Sequence, residues 1–247
     1  MQNYARQILD AVKAANPKNP IDFAVQAIKP LAIEKLNSAI KNCNDCKISQ
    51  LSQCCKTISR GNADASILVL CDFPVESQQN SGNGVLSVYE DAEEWTMIQK
   101  IISAYHINQS SLFFLNVVNC FPQKQIGKNF LKRPPNSLEM QNCKVFVDYA
   151  FKIVDPVLVI LLGNFALNAV KEDVNIIKSR GEWITVKGVK TMPTYSPTQL
   201  LQMQKFKNPE IVEEFKADFC DDIFKAFMWL QNEFPDNDAL LEKLTEE

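Results

Sequence analysis

Residues 156–163 read PVLVILLG, and Val157 to Leu162 inside that stretch is the longest unbroken apolar run in the chain. Six apolar residues are too few to cross a bilayer but suit a strand buried on both faces. The run is preceded by NSLEMQNCKVFVDYAFKIV (136–154), which has helical spacing and Asn136 or Ser137 as its cap, and followed by NFALNAVK (164–171), a short helix. Helix, buried strand, helix is the unit of a parallel sheet covered on both sides.

Outward from there the alternation repeats. ASILVLC (65–71) reads as a buried strand, EDAEEWTMIQKIISAYH (90–106) as an amphipathic helix and SLFFLNVVNC (111–120) as a second strand. EWITVKGVKTMPTY (182–195) reads as a hairpin-like pair ending in a strand, and the stretch from Pro209 to Phe234 as a long final helix. The expected class is therefore α/β: a three-layer αβα architecture around a central, mainly parallel four-stranded sheet. Ahead of it, PLAIEKLNSAIKN starts with Pro30 and spaces Leu31, Ile33, Leu36 and Ile40 along one helical face, so a helix delivers the chain to Cys43. Residues 1–29 are expected to form a helical extension, 30–234 the main domain and 235–247 an acidic tail that is a solvated end.

Composition narrows the function. With 247 residues, 46% hydrophobic and 22% charged, the chain is long enough for one large globular domain and is not a disordered one. A net charge of -3 leaves no long-range field for a polyanion, so any nucleic-acid site must be local. The single histidine, His106, excludes zinc or acid-base schemes that need two, and its position ahead of the second strand suggests a surface residue. No membrane span or signal peptide is visible, which points to the cytoplasm and, there, to eight cysteines kept as thiols.

Among these, Cys43-x-x-Cys46 follows a helix, Cys120 ends the second strand and Cys143 sits in the next helix. Four such thiols suit zinc or an iron-sulfur cluster, while Cys120 and Cys143 also read as plain buried residues. Adjacent Cys54 and Cys55, Cys71 in a strand end and Cys220 on the last helix are assigned to packing. Ligands of open parallel sheets sit beyond the carboxyl ends of the strands, so attention falls on Cys71 to Glu76, Asn116 to Cys120, Gly163 to Asn164 and Thr194 to Leu201.

CNDCKISQLSQCCKTISRGNADASILVL, then NVVNCFP, NSLEMQNC, DPVLVILLGNFALNAV, KSRGEWITVKGVKTMPTYSPTQLL and FKADFCDDIFKAF occur in that order from about Leu31 to Phe227. This series resembles the iron-sulfur uracil-DNA glycosylases of the fourth family. The resemblance implies that Cys43, Cys46, Cys120 and Cys143 hold a four-iron four-sulfur (4Fe-4S) cluster in a structural role, that DNA is the partner, and that the chain acts as a monomer.

It also implies roles for the strand-end residues. Asn116 matches the asparagine that reads the uracil edge, although a strand-end asparagine also caps its own loop. CDFPVES (71–77) stands where the family has Gly-Glu-Ala-Pro-Gly: Asp72 takes the acidic, water-orienting position and Pro74 is kept, while Cys71 and Val75 replace both glycines. An acidic residue there is equally a turn or helix cap. The family's phenylalanine platform should fall in GNGVLSVY, where Val85, Leu86 and Tyr89 stand and only Tyr89 has a ring. In TYSPTQLL (194–201), Ser196 replaces the histidine that donates to the departing uracil oxygen, and Pro197, Leu200 and Leu201 keep the DNA wedge. Loss of one such donor costs about 100- to 1,000-fold in rate.

The stretch FPQKQIGKNFLKRPPNSLEMQN between Cys120 and Cys143 carries Lys124, Lys128, Lys132 and Arg133 with no acid before Glu139. It reads as a solvated loop or, beside a strand-end cleft, as a phosphate contact. The readings that follow are a uracil-DNA glycosylase of weakened activity, or a non-catalytic iron-sulfur module binding DNA or protein on the same fold. Electron transfer is disfavoured by the absence of a flavin or nicotinamide fingerprint.

Overall fold

A computed structural model describes residues 20–51, 54–80, 85–206 and 208–234. At its centre lies β3 (Ile67–Cys71), flanked by β5 (Leu112–Asn116) and β8 (Leu158–Leu162), with β10 (Val189–Thr194) beyond β8, all four parallel. Val69 stands opposite both Phe114 and Ile160, and every residue of β3, β5 and β8 is buried. This is why the strands read as continuous apolar runs: with helices on both faces, alternation disappears.

The four expected parallel strands thus form the core of the sheet, and two short strands complete its edges. β2 (Arg60–Gly61) runs antiparallel to β5 and β9 (Ile184–Val186) antiparallel to β10, giving the order β2-β5-β3-β8-β10-β9. One face is covered by α1 (Pro20–Asn42) and α4 (Ser137–Val154), the other by α3 (Glu93–Ala104) and α8 (Pro209–Glu233). On that second face Ile98 and Ile101 of α3 and Phe219 and Ile223 of α8 meet Val69, Phe114 and Ile160.

Three local readings are revised. The helix expected to open at Pro30 begins at Pro20 and runs through it. Pro30 removes one helical hydrogen bond, but Leu36 and Ile40 are buried beyond it and Lys29 Nζ donates to the Val154 carbonyl, so packing on α4 carries the helix past the defect. The basic stretch after Cys120 is not an open loop but an antiparallel hairpin of β6 (Gln123–Ile126) and β7 (Asn129–Lys132). Gly127, at φ 60°, supplies the first central position of its two-residue turn. A small parallel pair, β1 (Lys56–Ile58) with β4 (Val85–Ser87), stands beside the main sheet. Residues 1–19 and 235–247, most of the expected extension and the whole expected tail, lie outside the described residues. Among those described, no helix is long and apolar enough to cross a membrane.

Candidate active site

Where β3, β8 and β10 end at their carboxyl termini, a cleft of about 570 Å³ opens. Asp72, the residue after β3, forms part of its wall. The carboxylate accepts the Ala166 N–H at 2.9 Å and also faces the Phe165 N–H, at the start of α5 (Asn164–Val170). It can lie there because Gly163, at φ 110°, has no side chain: a Cβ on Gly163 would stand 2.2 Å from Asp72 Oδ2. Burial pushes the Asp72 carboxyl up to about 7, against the two N–H groups that favour its charged form.

From β10 the chain passes through Tyr195 into Ser196, which is 3% exposed and lines the same cleft. Ser196 Oγ accepts the Gln199 N–H at 3.1 Å and its carbonyl accepts the Leu200 N–H at 3.2 Å. It is therefore the cap of α7 (Pro197–Phe206), with Pro197 as the first helical residue. Serine before proline is a helix-start signal, and reading Ser196 only as a replaced histidine passed over it.

A buried polar brace holds this turn from below. Asp222 of α8 is 2% exposed. It accepts the Thr194 hydroxyl at 2.7 Å and both arms of the Arg180 guanidinium, whose Nε lies at 2.8 Å. Arg180 also reaches the Asp218 carboxylate at 3.1 Å. Gly181, at φ 70°, donates its N–H to the Pro193 carbonyl, and a Cβ there would meet Asp222 Oδ1 at 2.5 Å. The Arg-Gly step quoted from the sequence is thus the contact between α6 (Ile176–Ser179), β10 and α8.

The phase of α7 corrects the wedge reading. Leu200 is fully enclosed in the core and Pro197 is buried, while Leu201 is half-buried. Counting from the Ser196 cap, the helical period turns Leu200 inward and Thr198, Gln199 and Gln202 toward the cleft. Opposite stand Phe73 and Phe165, both half-buried, with ring centroids 5.3 Å apart and planes at 67°. Sequence reasoning gave none of these five a role; all but Gln202 lay within the stretches quoted above, but nothing in residue type alone marks which side of a turn faces the cavity.

Asn116 and Tyr89 do not line the cleft. Asn116 has no exposed surface; its Nδ2 donates to Thr57 Oγ1 at 2.6 Å and its Oδ1 has no partner among the described residues. Tyr89, at φ 56°, is 2% exposed with its hydroxyl against the Cys71 thiol, so its ring packs beneath the strand ends rather than beside a ligand.

The basic residues divide. Lys124 and Lys128 are exposed on the β6–β7 hairpin, and Lys128 and Lys132 line a second hollow of about 360 Å³ with Glu76, Phe121 and Phe130. Lys132 also reaches the main cleft and pairs with Glu76 at 3.4 Å. Arg133 lines the cleft too, but its fork is filled by both oxygens of Glu139, which in turn completes the capping box of α4 with Asn136. It braces the helix start. His106 is exposed.

Cys43 and Cys46 follow α1, Cys120 stands beyond β5 and Cys143 on α4, and the four lie near enough for Cys46 to act electrostatically on both Cys120 and Cys143 and for Cys43 to act on Cys143. Cys120 and Cys143 are buried, and burial together with the neighbouring Cys46 and Cys43 thiols pushes Cys143 up to about 12. Cys54, expected to be a packing residue, instead shares a hydrogen bond with the Cys120 thiol, which raises Cys120 strongly. The Asn119 backbone N–H faces the Cys143 sulfur, and the Asn119 side-chain amide, 2% exposed, has no partner among the described residues. Lys56 Nζ bonds the carbonyls of Lys41 and Cys43 at 3.1 and 2.6 Å. Among the described residues, no three His, Cys, Asp or Glu side chains are grouped closely enough to hold a metal ion.

No curated protein matches the chain significantly. The family model described as the uracil DNA glycosylase superfamily matches residues 59–220, from the edge strand β2 into α8, and so takes in the whole sheet, the cleft, Cys120 and Cys143 but not Cys43 or Cys46. With that match extending over well more than half of the 247 residues, the chain belongs to the uracil-DNA glycosylase superfamily.

Proposed function

We propose that the protein is a DNA-repair hydrolase of weakened activity that cleaves the N-glycosidic bond of uracil in DNA. The observation that carries the reading is the meeting of Asp72 and Ser196, from the ends of two different parallel strands, in one cleft. A base must leave the stack to reach such a cleft. Water then attacks the sugar carbon, the glycosidic bond breaks with its electron pair passing to the base, and negative charge develops on a base oxygen.

In its ionised form, Asp72 orients and deprotonates that water. Ser196 is suited to the other end of the reaction. Its oxygen is already engaged as acceptor of the Gln199 N–H, which leaves the hydroxyl proton free to donate to the developing oxyanion. A neutral hydroxyl stabilises that charge less than a cationic donor would, hence the weakened rate. Single-turnover excision from uracil-containing single- and double-stranded oligonucleotides tests this. Asp72→Asn should abolish it and Ser196→Ala lower it by about tenfold or more. Wild-type rates in both variants would refute the assignment.

We also propose that Cys43, Cys46, Cys120 and Cys143 hold a 4Fe-4S cluster, which supplies a structural clamp between α1 and the sheet. The feature that supports the fit is the mutual proximity of the thiols, Cys120 and Cys143 being buried and each within electrostatic reach of Cys46. A cluster spreads its thiolates over several irons, so a single focus is not required. Iron and sulfide content and visible absorption of anaerobically purified protein decide this against zinc. On this reading the protein is a cytoplasmic monomer.

One observation favours a second reading, a non-catalytic DNA- or protein-binding module: the enclosure of Asn116 away from the cleft. Folded, cluster-loaded protein that binds DNA without excising any base would establish that alternative.

A further inference from the structure

We infer that a base entering the cleft is stacked on the Phe73–Phe165 pair and read at its edge by the side-chain amides of Gln199 and Gln202, which take the role expected of Asn116. The inference rests on the DNA reading proposed above and goes beyond it by moving base recognition from the end of β5 to α7.

The starting point is the enclosure of Asn116. Its amide nitrogen is committed to Thr57 and none of its surface is exposed, so the strand end would have to open before it touched a base. The cleft meanwhile presents the parts a base needs. Gln199 and Gln202 lie three residues apart on α7, which puts them on one helical face, and both line the cavity. The Gln199 backbone N–H is held by Ser196, yet neither glutamine side chain has a partner among the described residues. Each amide offers a donor and an acceptor side by side, the pattern that pairs with the edge of a heteroaromatic ring.

On the other wall, Phe73 and Phe165 meet edge to face, and such a pair leaves ring surface turned into the cavity that both residues line. Stacking a base on an aromatic surface is sequence-tolerant, because every base has a π-face, so the rings supply affinity and the amides supply discrimination. Lys132 stands at the rim in an exposed pair with Glu76, a weak tie that a phosphate can displace. The ligand class that matches stacking, edge pairing and a rim cation together is a single nucleotide turned out of its strand.

The test is fluorescence anisotropy with two short single-stranded oligonucleotides of identical backbone. One is abasic throughout; the other carries one uracil on a 2′-fluorinated sugar that resists hydrolysis. Wild-type protein is expected to prefer the uracil-bearing strand by about 5- to 100-fold, the range of one stacking contact. Phe165→Leu should reduce that preference to within about twofold, and the double variant Gln199→Leu/Gln202→Leu, which keeps the rings, should lower it by roughly threefold or more, each leaving affinity for the abasic strand unchanged. Because both glutamine side chains are unpartnered on the surface of α7, the double variant keeps the test decisive if Phe165→Leu fails to fold. Full preference retained in the double variant overturns the inference. Wild-type protein that binds both strands equally overturns base reading while leaving DNA binding intact, and no binding to either strand overturns the DNA reading and this inference together.

Discussion

Replacing Asp222 by alanine removes the one carboxylate that joins β10, the Arg180–Gly181 step and α8, and its cost can be worked from the contacts. The Thr194 hydroxyl, with no exposed surface, loses its acceptor at 2.7 Å. An unsatisfied buried donor costs about 1–3 kcal/mol. Arg180 loses a bidentate partner, which for a fully buried pair costs about 3–5 kcal/mol. Here the Arg180 side chain is 21% exposed and keeps the Asp218 carboxylate at 3.1 Å, so about 1–2 kcal/mol of that remains after solvent screening. The sum is about 2–5 kcal/mol, or a fall in Tm of roughly 4–20 °C for a domain of this size. Thermal and urea unfolding followed by circular dichroism measure it. Asp222→Asn, which keeps one oxygen as an acceptor, should lose less. Arg180→Met combined with Asp222→Ala should cost less than the two single variants added, because both break one network. A Tm for Asp222→Ala within about 2 °C of wild type, or strict additivity in the double variant, would show that the brace does not hold the turn.

Two further outcomes follow from the cleft geometry. Leu200→Ala should destabilise the fold by about 2–5 kcal/mol, whereas half-buried Leu201→Ala should cost less than about 1.5 kcal/mol; the reverse order of urea midpoints would mean that the phase of α7 is wrong. Asp72 gives a pH dependence whose sign can be worked out. Its folded pKa of about 7 lies above the roughly 4 of an exposed carboxyl, so the folded state holds this proton more tightly. The stability it contributes is complete below about pH 4 and is lost as the pH rises to 7. Asp72→Asn, which keeps an oxygen for the Ala166 N–H, should match wild type in urea unfolding near pH 4 and exceed it by about 1–2 kcal/mol at pH 8. Excision that depends on ionised Asp72 should rise through pH 7 and level off above it. A flat difference between the two proteins from pH 4 to 8 would refute the shift.

The sheet was legible because its signal is redundant. Leu158 to Leu162, Ile67 to Leu70 and Leu112 to Leu115 are each apolar throughout, as strands buried on both faces are expected to be. Of the edge strands, Ile184–Val186 was legible as the first arm of the hairpin that ends in β10, whereas Arg60–Gly61 was not: it is two residues long and takes its order from the neighbour it pairs with. Pro30 shows the same limit from the other side. Its local preference is to start a helix, and the packing of Leu36 and Ile40 against the fold overrides it. Cys54 was set aside together with Cys55 because adjacent cysteines cannot easily point at one centre. That argument excludes Cys54 and Cys55 acting together, but it does not prevent Cys54 alone from turning to Cys120.

At the cleft, the error lay in treating cap and site as alternatives. A residue that follows a parallel strand and precedes a helix stands at the helix N-terminus and at the mouth of the strand-end crevice at once. Asp72 is held by the Ala166 N–H of α5 while facing the cavity, and Ser196 is held by the Gln199 N–H of α7 while facing the same cavity. Each cap fixes the chemistry as well as the position. The N–H groups favour the charged Asp72 against the burial that favours its neutral form, and the N–H on Ser196 occupies the oxygen as acceptor and so leaves the hydroxyl to act as a donor. Asn116 shows the converse: its nitrogen is bonded to Thr57, outside the cleft, and its remaining oxygen faces no described partner. What separates a site residue from a structural one at these strand ends is therefore not whether it is hydrogen-bonded. The deciding feature is whether, after bonding, a donor or a lone pair remains on the side that faces the cavity.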